Sequence, residues 1–243
     1  MENKKGSHVG MILSFALFIT FVVFIYTIVN PTINTSESKK TLLNEIGLRL
    51  IDNMSSDFTT FSVNIDQNPS TACVILEGVI YYAEISPSTL IYDESHNAQE
   101  VYYNPATDFN NLRIVRTSSS DSFLKIYSSP EFDKVPEDST TSCSTVSFES
   151  GYSIGSWTSG QYIFEKNLVD LVDYYNRYYD TLKSELKISP GNEFGFEFTL
   201  TNGTKLTAVS DLPTQNIYAE DIPIQYIDDD ANIQSGFINV KVW

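Results

Sequence analysis

MILSFALFITFVVFIYTIV, residues 11–29, is a run of nineteen residues without a charged side chain. As an α-helix it is about 28 Å long, close to the hydrocarbon thickness of a bilayer, and this predicts a transmembrane helix. A removable secretory signal has a shorter apolar stretch that ends in a small-x-small cleavage site. Here Asn30-Pro31-Thr32 follows instead, so the helix is expected to be retained. The span contains no glycine pair and no Asp, Glu, Lys, Arg or His, and so reads as an anchor rather than a proton path or a tight helix pair.

The rest of the chain differs sharply from this segment. Its 243 residues carry 31 Asp and Glu against 15 Lys and Arg, and residues 1–40 hold only two of the acids and four of the bases. The part beyond residue 40 therefore bears a net charge of about −18, a surface that repels phosphates, which excludes nucleic acid as an expected partner. The only histidines are His8 and His96 and the only cysteines Cys73 and Cys143, too few for a Cys/His zinc site within one copy. No cofactor is implied.

Lys4 and Lys5 before the span face Lys39 and Lys40 after it, so the positive-inside bias is small. Sequons at Asn34, Asn53 and Asn202, and a pair of cysteines seventy positions apart, fit an exported domain that is glycosylated and bridged by a Cys73–Cys143 disulfide. Such a bridge is worth on the order of 4 kcal/mol by the chain-entropy relation.

Lys4-Lys5-Gly6-Ser7-His8-Val9, running directly into Met11-Ile12-Leu13-Ser14-Phe15, resembles the class III signal of archaeal type IV pilin-like proteins. The resemblance covers about twenty-five residues. It implies cleavage on the cytoplasmic side after the basic-Gly pair Lys5-Gly6, with Ser7 as the mature amino terminus and the apolar helix kept. Such pilins usually carry a glutamate shortly after the cut, where Gly10 and Met11 stand here. The departure points to a minor pilin-like or anchored component rather than a filament-building subunit.

Residues 31–40 read as a polar connector. Leu43, Ile46, Leu50 and Met54 then fall on one helical face, a stalk helix with Ser38 as its cap. Strands are expected at 58–65, 72–77, 79–85, 89–92, 112–117 and 122–127 from their β-branched and aromatic content. The Ser/Thr/Pro/Glu/Gly text at 128–159 reads as loop with one short strand at 145–148. A long amphipathic helix is expected at 161–187, with Phe164, Leu168, Leu171, Val172, Tyr175, Tyr178, Leu182 and Leu186 on its apolar stripe. Residues 193–200 alternate strictly, Asn202-Gly203 makes a hairpin turn, 205–209 return, and 237–243 form a last strand. No internal repeat is expected.

Chemistry is sparse. Gly151-Tyr152-Ser153-Ile154-Gly155 matches the nucleophile-elbow pattern, yet no histidine follows it to act as base. Asp228-Asp229-Asp230-Ala231-Asn232-Ile233-Gln234 offers oxygens at alternate positions, but Ile233 stands where a calcium loop needs glycine and Asn239 where it needs a closing carboxylate. A solvated acidic turn is expected there. Glu165, Asp170 and Asp173 read as an exposed helix face and His96 as a turn residue. Tyr174, Tyr175, Tyr178 and Tyr179, with Tyr102-Tyr103 and Trp157, make an aromatic-rich set in which core and rim packing is expected for most, and Tyr174 and Tyr179, off the helix stripe, are the candidates for a contact surface.

Together these features predict an α+β protein: an N-terminal transmembrane helix, a stalk helix, and an antiparallel β-sheet domain packed with one long amphipathic helix. In domain terms these are a cytoplasmic terminus at 1–10, the span at 11–30, connector and stalk at 31–57, and an extracytoplasmic domain at 58–243. The expected role is a non-enzymatic structural or adhesive one, with the lipid membrane and other pilin-like subunits as partners. An anchored sensor or ligand-binding module is the alternative, and an anchored hydrolase using Ser153 the weaker third.

Overall fold

The computed structural model describes residues 6–66, 69–103, 111–119, 121–138, 142–210 and 217–243, with side chains described from residue 10 to 27 and from 38 onward. Its first element is one helix, α1 (Gly6–Met54). The expected connector at 31–40 is helical, and the apolar span and the stalk belong to a single rod about 73 Å long. Pro31 has no amide to contribute to the ladder, which costs one hydrogen bond without ending the helix.

The strands are β1 (Ser55–Ile65), β2 (Cys73–Leu76), β3 (Thr89–Asp93), β4 (Glu100–Tyr103), β5 (Leu112–Val115), β6 (Phe123–Ser128), β7 (Ser144–Val146), β8 (Tyr152–Phe164), β9 (Phe194–Thr199), β10 (Lys205–Ala208), β11 (Tyr218–Ile227) and β12 (Ile233–Val242). Eight of them form one sheet in the order β10-β9-β12-β11-β8-β1-β6-β3, and β4-β5-β2-β7 form a second. Pairing is antiparallel except for β8 with β11 and β2 with β7. The fold is thus α+β with an N-terminal apolar helix and a large, mainly antiparallel sheet.

Three expectations change. Residues 79–85, rich in β-branched and aromatic side chains, contain the short helix α2 (Val79–Tyr82) rather than a strand. Gly78 enters it with φ +73, a conformation that a β-strand does not use, and its carbonyl accepts the Tyr82 amide. The stretch expected to be loop up to 159 contributes most of β8, which is held extended by ten register pairs with β1. The long helix, α3 (Glu165–Glu185), therefore starts later than the periodicity predicts, since residues 161–164 close β8. Strands β4 and β11 were not anticipated. In β11, the adjacent acids Glu220 and Asp221 and the exposed Pro223 mask the strand signal.

The core has two main parts and a joint. One lies between the second half of α1, α3 and the β9–β12 end of the sheet. Ile46, Leu50, Met54, Leu168 and Leu182 meet Phe194, Phe196, Phe198, Ile238 and Val240 there. Gly47 lets α1 approach β11, for a Cβ at that position would collide with the Ile222 side chain. The other part packs Phe61, Val63 and Tyr152 against Val74, Leu76 and Ile114 of the small sheet. Between them Phe58, Tyr92, Tyr127, Phe132 and Phe164 form an aromatic joint. On α3 the backbone departs from helical values at Tyr178 (φ −136°, ψ 43°), and the stripe changes phase: Tyr175 and Leu182 are buried whereas Tyr178 is exposed.

Candidate functional site

The apolar half of α1 comes first. Residues Gly10–Thr27 are long and apolar enough to cross a membrane, and none is buried against the rest of the chain. A surface helix of a soluble domain buries one apolar face; this segment exposes apolar side chains all round. Its threonines turn inward on their own backbone. The Thr20 hydroxyl donates to the Ala16 and Leu17 carbonyls at 3.1 and 2.9 Å, and Thr27 donates to Phe24 at 2.9 Å. Such pairing removes the cost of taking a hydroxyl into hydrocarbon. Of the expected processing site, Lys5 lies outside the described residues and Gly6 and Ser7 fall on the first turn of α1. Asn34 lies on α1 where no side chain is described, whereas Asn53 and Asn202 are exposed.

A second feature is a turn that occurs twice. Asp93-x-x-x-Asn97-x-Gln99 follows β3, and Asp228-x-x-x-Asn232-x-Gln234 joins β11 to β12. In both, the aspartate accepts on one oxygen the amides two and four residues on: Ser95 and Asn97 at 2.9 and 2.8 Å, Asp230 and Asn232 at 3.0 and 2.8 Å. On the other oxygen it accepts the Asn and Gln side-chain amides. The fourth residue has positive φ in each, +63 at His96 and +60 at Ala231. The repeat that sequence reading missed is legible as shared Asp, Asn and Gln spacing.

These hydrogen bonds set the charge state. The Asp93 carboxyl is held below its ordinary value chiefly by the Asn97 amide, then by the Asn97 side chain, the Ser95 amide and the Thr117 hydroxyl. Burial pushes Asp228 up, but hydrogen bonds from Gln234, Asn232 and Asp230 outweigh it and the net shift is downward. The leading carboxylate of the 228–234 acidic turn is thus spent on the turn itself. Among the described residues no group of three His, Cys, Asp or Glu is placed to hold a metal ion.

Beside the second turn lies an open cleft of about 460 Å³ lined by Leu90, Glu131, Asp133, Glu165, Lys166, Asp170 and Asp229, among others. Two acids from α3 that the sequence grouped, Glu165 and Asp170, do meet there, while Asp173 pairs with Arg177 at 3.5 Å. Burial raises the Glu165 carboxyl, with Asp229 and Asp228 adding to the effect. The sequence offered no signal for Glu131 and Asp133, because their approach depends on the turn after β6.

The remaining candidates separate. Ser153 sits within β8 opposite Asn64, in a strand that runs on to Phe164, so no tight strand-to-helix turn presents its hydroxyl. His96 stacks on Tyr92 with ring centroids 4.6 Å apart. Tyr179 bonds to Glu193 and stacks on Phe194, and Tyr174 bonds to Glu185 at 3.2 Å. Beyond the apolar span, the exposed aromatics among the described residues are Tyr81, Tyr82, Trp157, Tyr178 and Phe237. Tyr82, Ala83, Glu84, Phe148, Ile154 and Trp157 line a shallow groove of about 290 Å³. Cys73 and Cys143 form a disulfide that ties β2 to the segment entering β7. In comparisons with known proteins, no family model, no curated protein and no solved structure matches this chain.

Proposed function

We propose that this chain is a single-pass membrane protein whose bulk lies outside the cytoplasm, acting as a minor pilin-like structural or adhesive component of an archaeal surface filament or secretion apparatus. The observation that carries the reading is the division of labour along α1. Its first half offers apolar side chains in every direction, and the second half of the same helix is cemented into the sheet by Leu43, Ile46, Leu50 and Met54. A rod built this way transmits position rigidly from the bilayer, or from neighbouring apolar helices, to the acidic domain. The disulfide supports an oxidising location for that domain. The basic-Gly pair at Lys5-Gly6 supplies the signal for processing.

Mass spectrometry of the native amino terminus, with protease added to intact and to lysed cells, tests it. A mature start at Ser7 and a domain cleaved on intact cells are expected. A native terminus at Met1 or Glu2 would remove the pilin-like reading. A domain spared on intact cells yet cut after lysis would remove the outside orientation.

A further inference from the structure

Strand β8 is paired on one side only along most of its length. Its register with β1 runs from Tyr152 to Ile163, but on its other side it meets β11 only at Ile163 and Phe164, opposite Tyr226 and Ile227. Among the described residues no backbone hydrogen bond reaches the outer edge of β8 at residues 153–162. That edge is open to solvent: Trp157, Thr158 and Ser159 are consecutive and all exposed, so neither face is covered. Residues 153–161 contain no charge and no proline, the usual guards of an exposed edge.

The free piece has natural limits. Gly155 and Ser156 together face Ser62, a bulge that bends the strand at one end, and β11 takes over the edge at the other. The straight length between is Trp157-Thr158-Ser159-Gly160-Gln161, five residues centred on Ser159. We infer that this edge is where two copies of the chain meet, β8 pairing antiparallel with β8 of a second copy about a two-fold axis at Ser159. Trp157 then lies opposite Gln161 of the other copy, and Thr158 opposite Gly160.

The choice of a second copy follows from chemistry. A row of unpaired amides and carbonyls is satisfied best by another extended backbone, which selects a strand rather than a small ligand. The chain has a net charge of −16, so most like-to-like contacts bring carboxylates together, and this uncharged strip lets an identical chain approach closely. A two-fold contact is self-complementary, as a strand pairing with its own copy requires. The trapped contact is small, and here the inference rests on the proposed anchoring, since confinement in one bilayer raises the local concentration of copies.

Both cysteines are engaged in the disulfide, so an introduced cysteine is the single free thiol. The test uses the full chain in detergent micelles, which depends neither on orientation nor on amino-terminal processing, and repeats it in lipid vesicles. Mild oxidation of Ser159→Cys is expected to give covalent dimer several-fold faster than Thr207→Cys, an exposed position on the outermost strand β10. In vesicles, Ser159→Lys should abolish the association that unmodified chain shows on crosslinking, while near-UV circular dichroism stays unchanged. Equal yields from the two cysteine variants, or association that survives Ser159→Lys, would overturn the proposal and leave the anchoring reading standing.

Discussion

The phenol of Tyr92 donates a hydrogen bond to the main-chain carbonyl of Asp230 at 2.9 Å, joining the two copies of the Asp-Asn-Gln turn. Tyr92 directly precedes the first turn and stacks on His96 within it, so one side chain braces both. It is also one of the rings of the aromatic joint between the two parts of the core.

Tyr92→Phe keeps the ring and removes only the hydroxyl. A single hydrogen bond of this kind is worth about 1 kcal/mol. We expect a loss of that size in urea unfolding monitored by fluorescence, with an unchanged slope. A larger loss would mean that the joint depends on the hydroxyl for packing as well.

Acid should loosen these turns. A carboxylate held below its unfolded value stabilises the fold at pH above that value, and the contribution disappears as pH falls through the folded value. Asp93 and Asp228 are both held low. Stability should therefore be level near neutrality and decline below about pH 4, the unfolded aspartate value. Glu193 and Glu197, lowered by hydrogen bonds from Lys183 and Lys205, act in the same direction, and the raised Glu165 acts against them. Melting temperatures across this range check the sign. Asp228→Asn should lower the midpoint at neutral pH and make the acid limb shallower.

Removing the disulfide should cost much more than removing any one surface contact. The bond closes a sequence separation of 70 residues. The loop relation gives about 4 kcal/mol, and replacing both cysteines by serine should approach that figure. Chemical denaturation of the double variant, compared with the oxidised chain, is the measurement.

Two leucines on the same helix separate packing from mere hydrophobicity. Leu50 is fully buried against the sheet and Leu48 is 66% exposed. Leu50→Ala should cost about 2–5 kcal/mol, and Leu48→Ala no more than about 0.5 kcal/mol. Similar losses at both sites would show that the face of α1 turned away from the sheet is itself buried in an assembly.

Much of the fold was legible wherever a local pattern and its environment agreed. Leu43, Ile46, Leu50 and Met54 repeat at helical spacing and do bury one face, and the alternation of Phe194, Phe196 and Phe198 yields a strand with that face inward. Cys73 and Cys143 could be paired because no other cysteine competes. The candidate sites were less legible. The second half of the twin turn reads only as a run of acids and the first only as a turn around His96, because what the two share lies in amides folding back onto one carboxylate.

Sequence alone determined the apolar rod, the acidity of the domain and the helix and hairpin that follow it, because each is a property of neighbouring residues. Tertiary structure decided the rest. The Ser- and Gly-rich text of β8 has weak strand preference of its own and is extended because β1 lies beside it. The β-branched and aromatic residues after Gly78 turn as α2 because Gly78 enters in a conformation that only a helix or turn continues. Which strand edge stays open was settled by β11 meeting β8 at two residues only, a long-range pairing that no local pattern encodes.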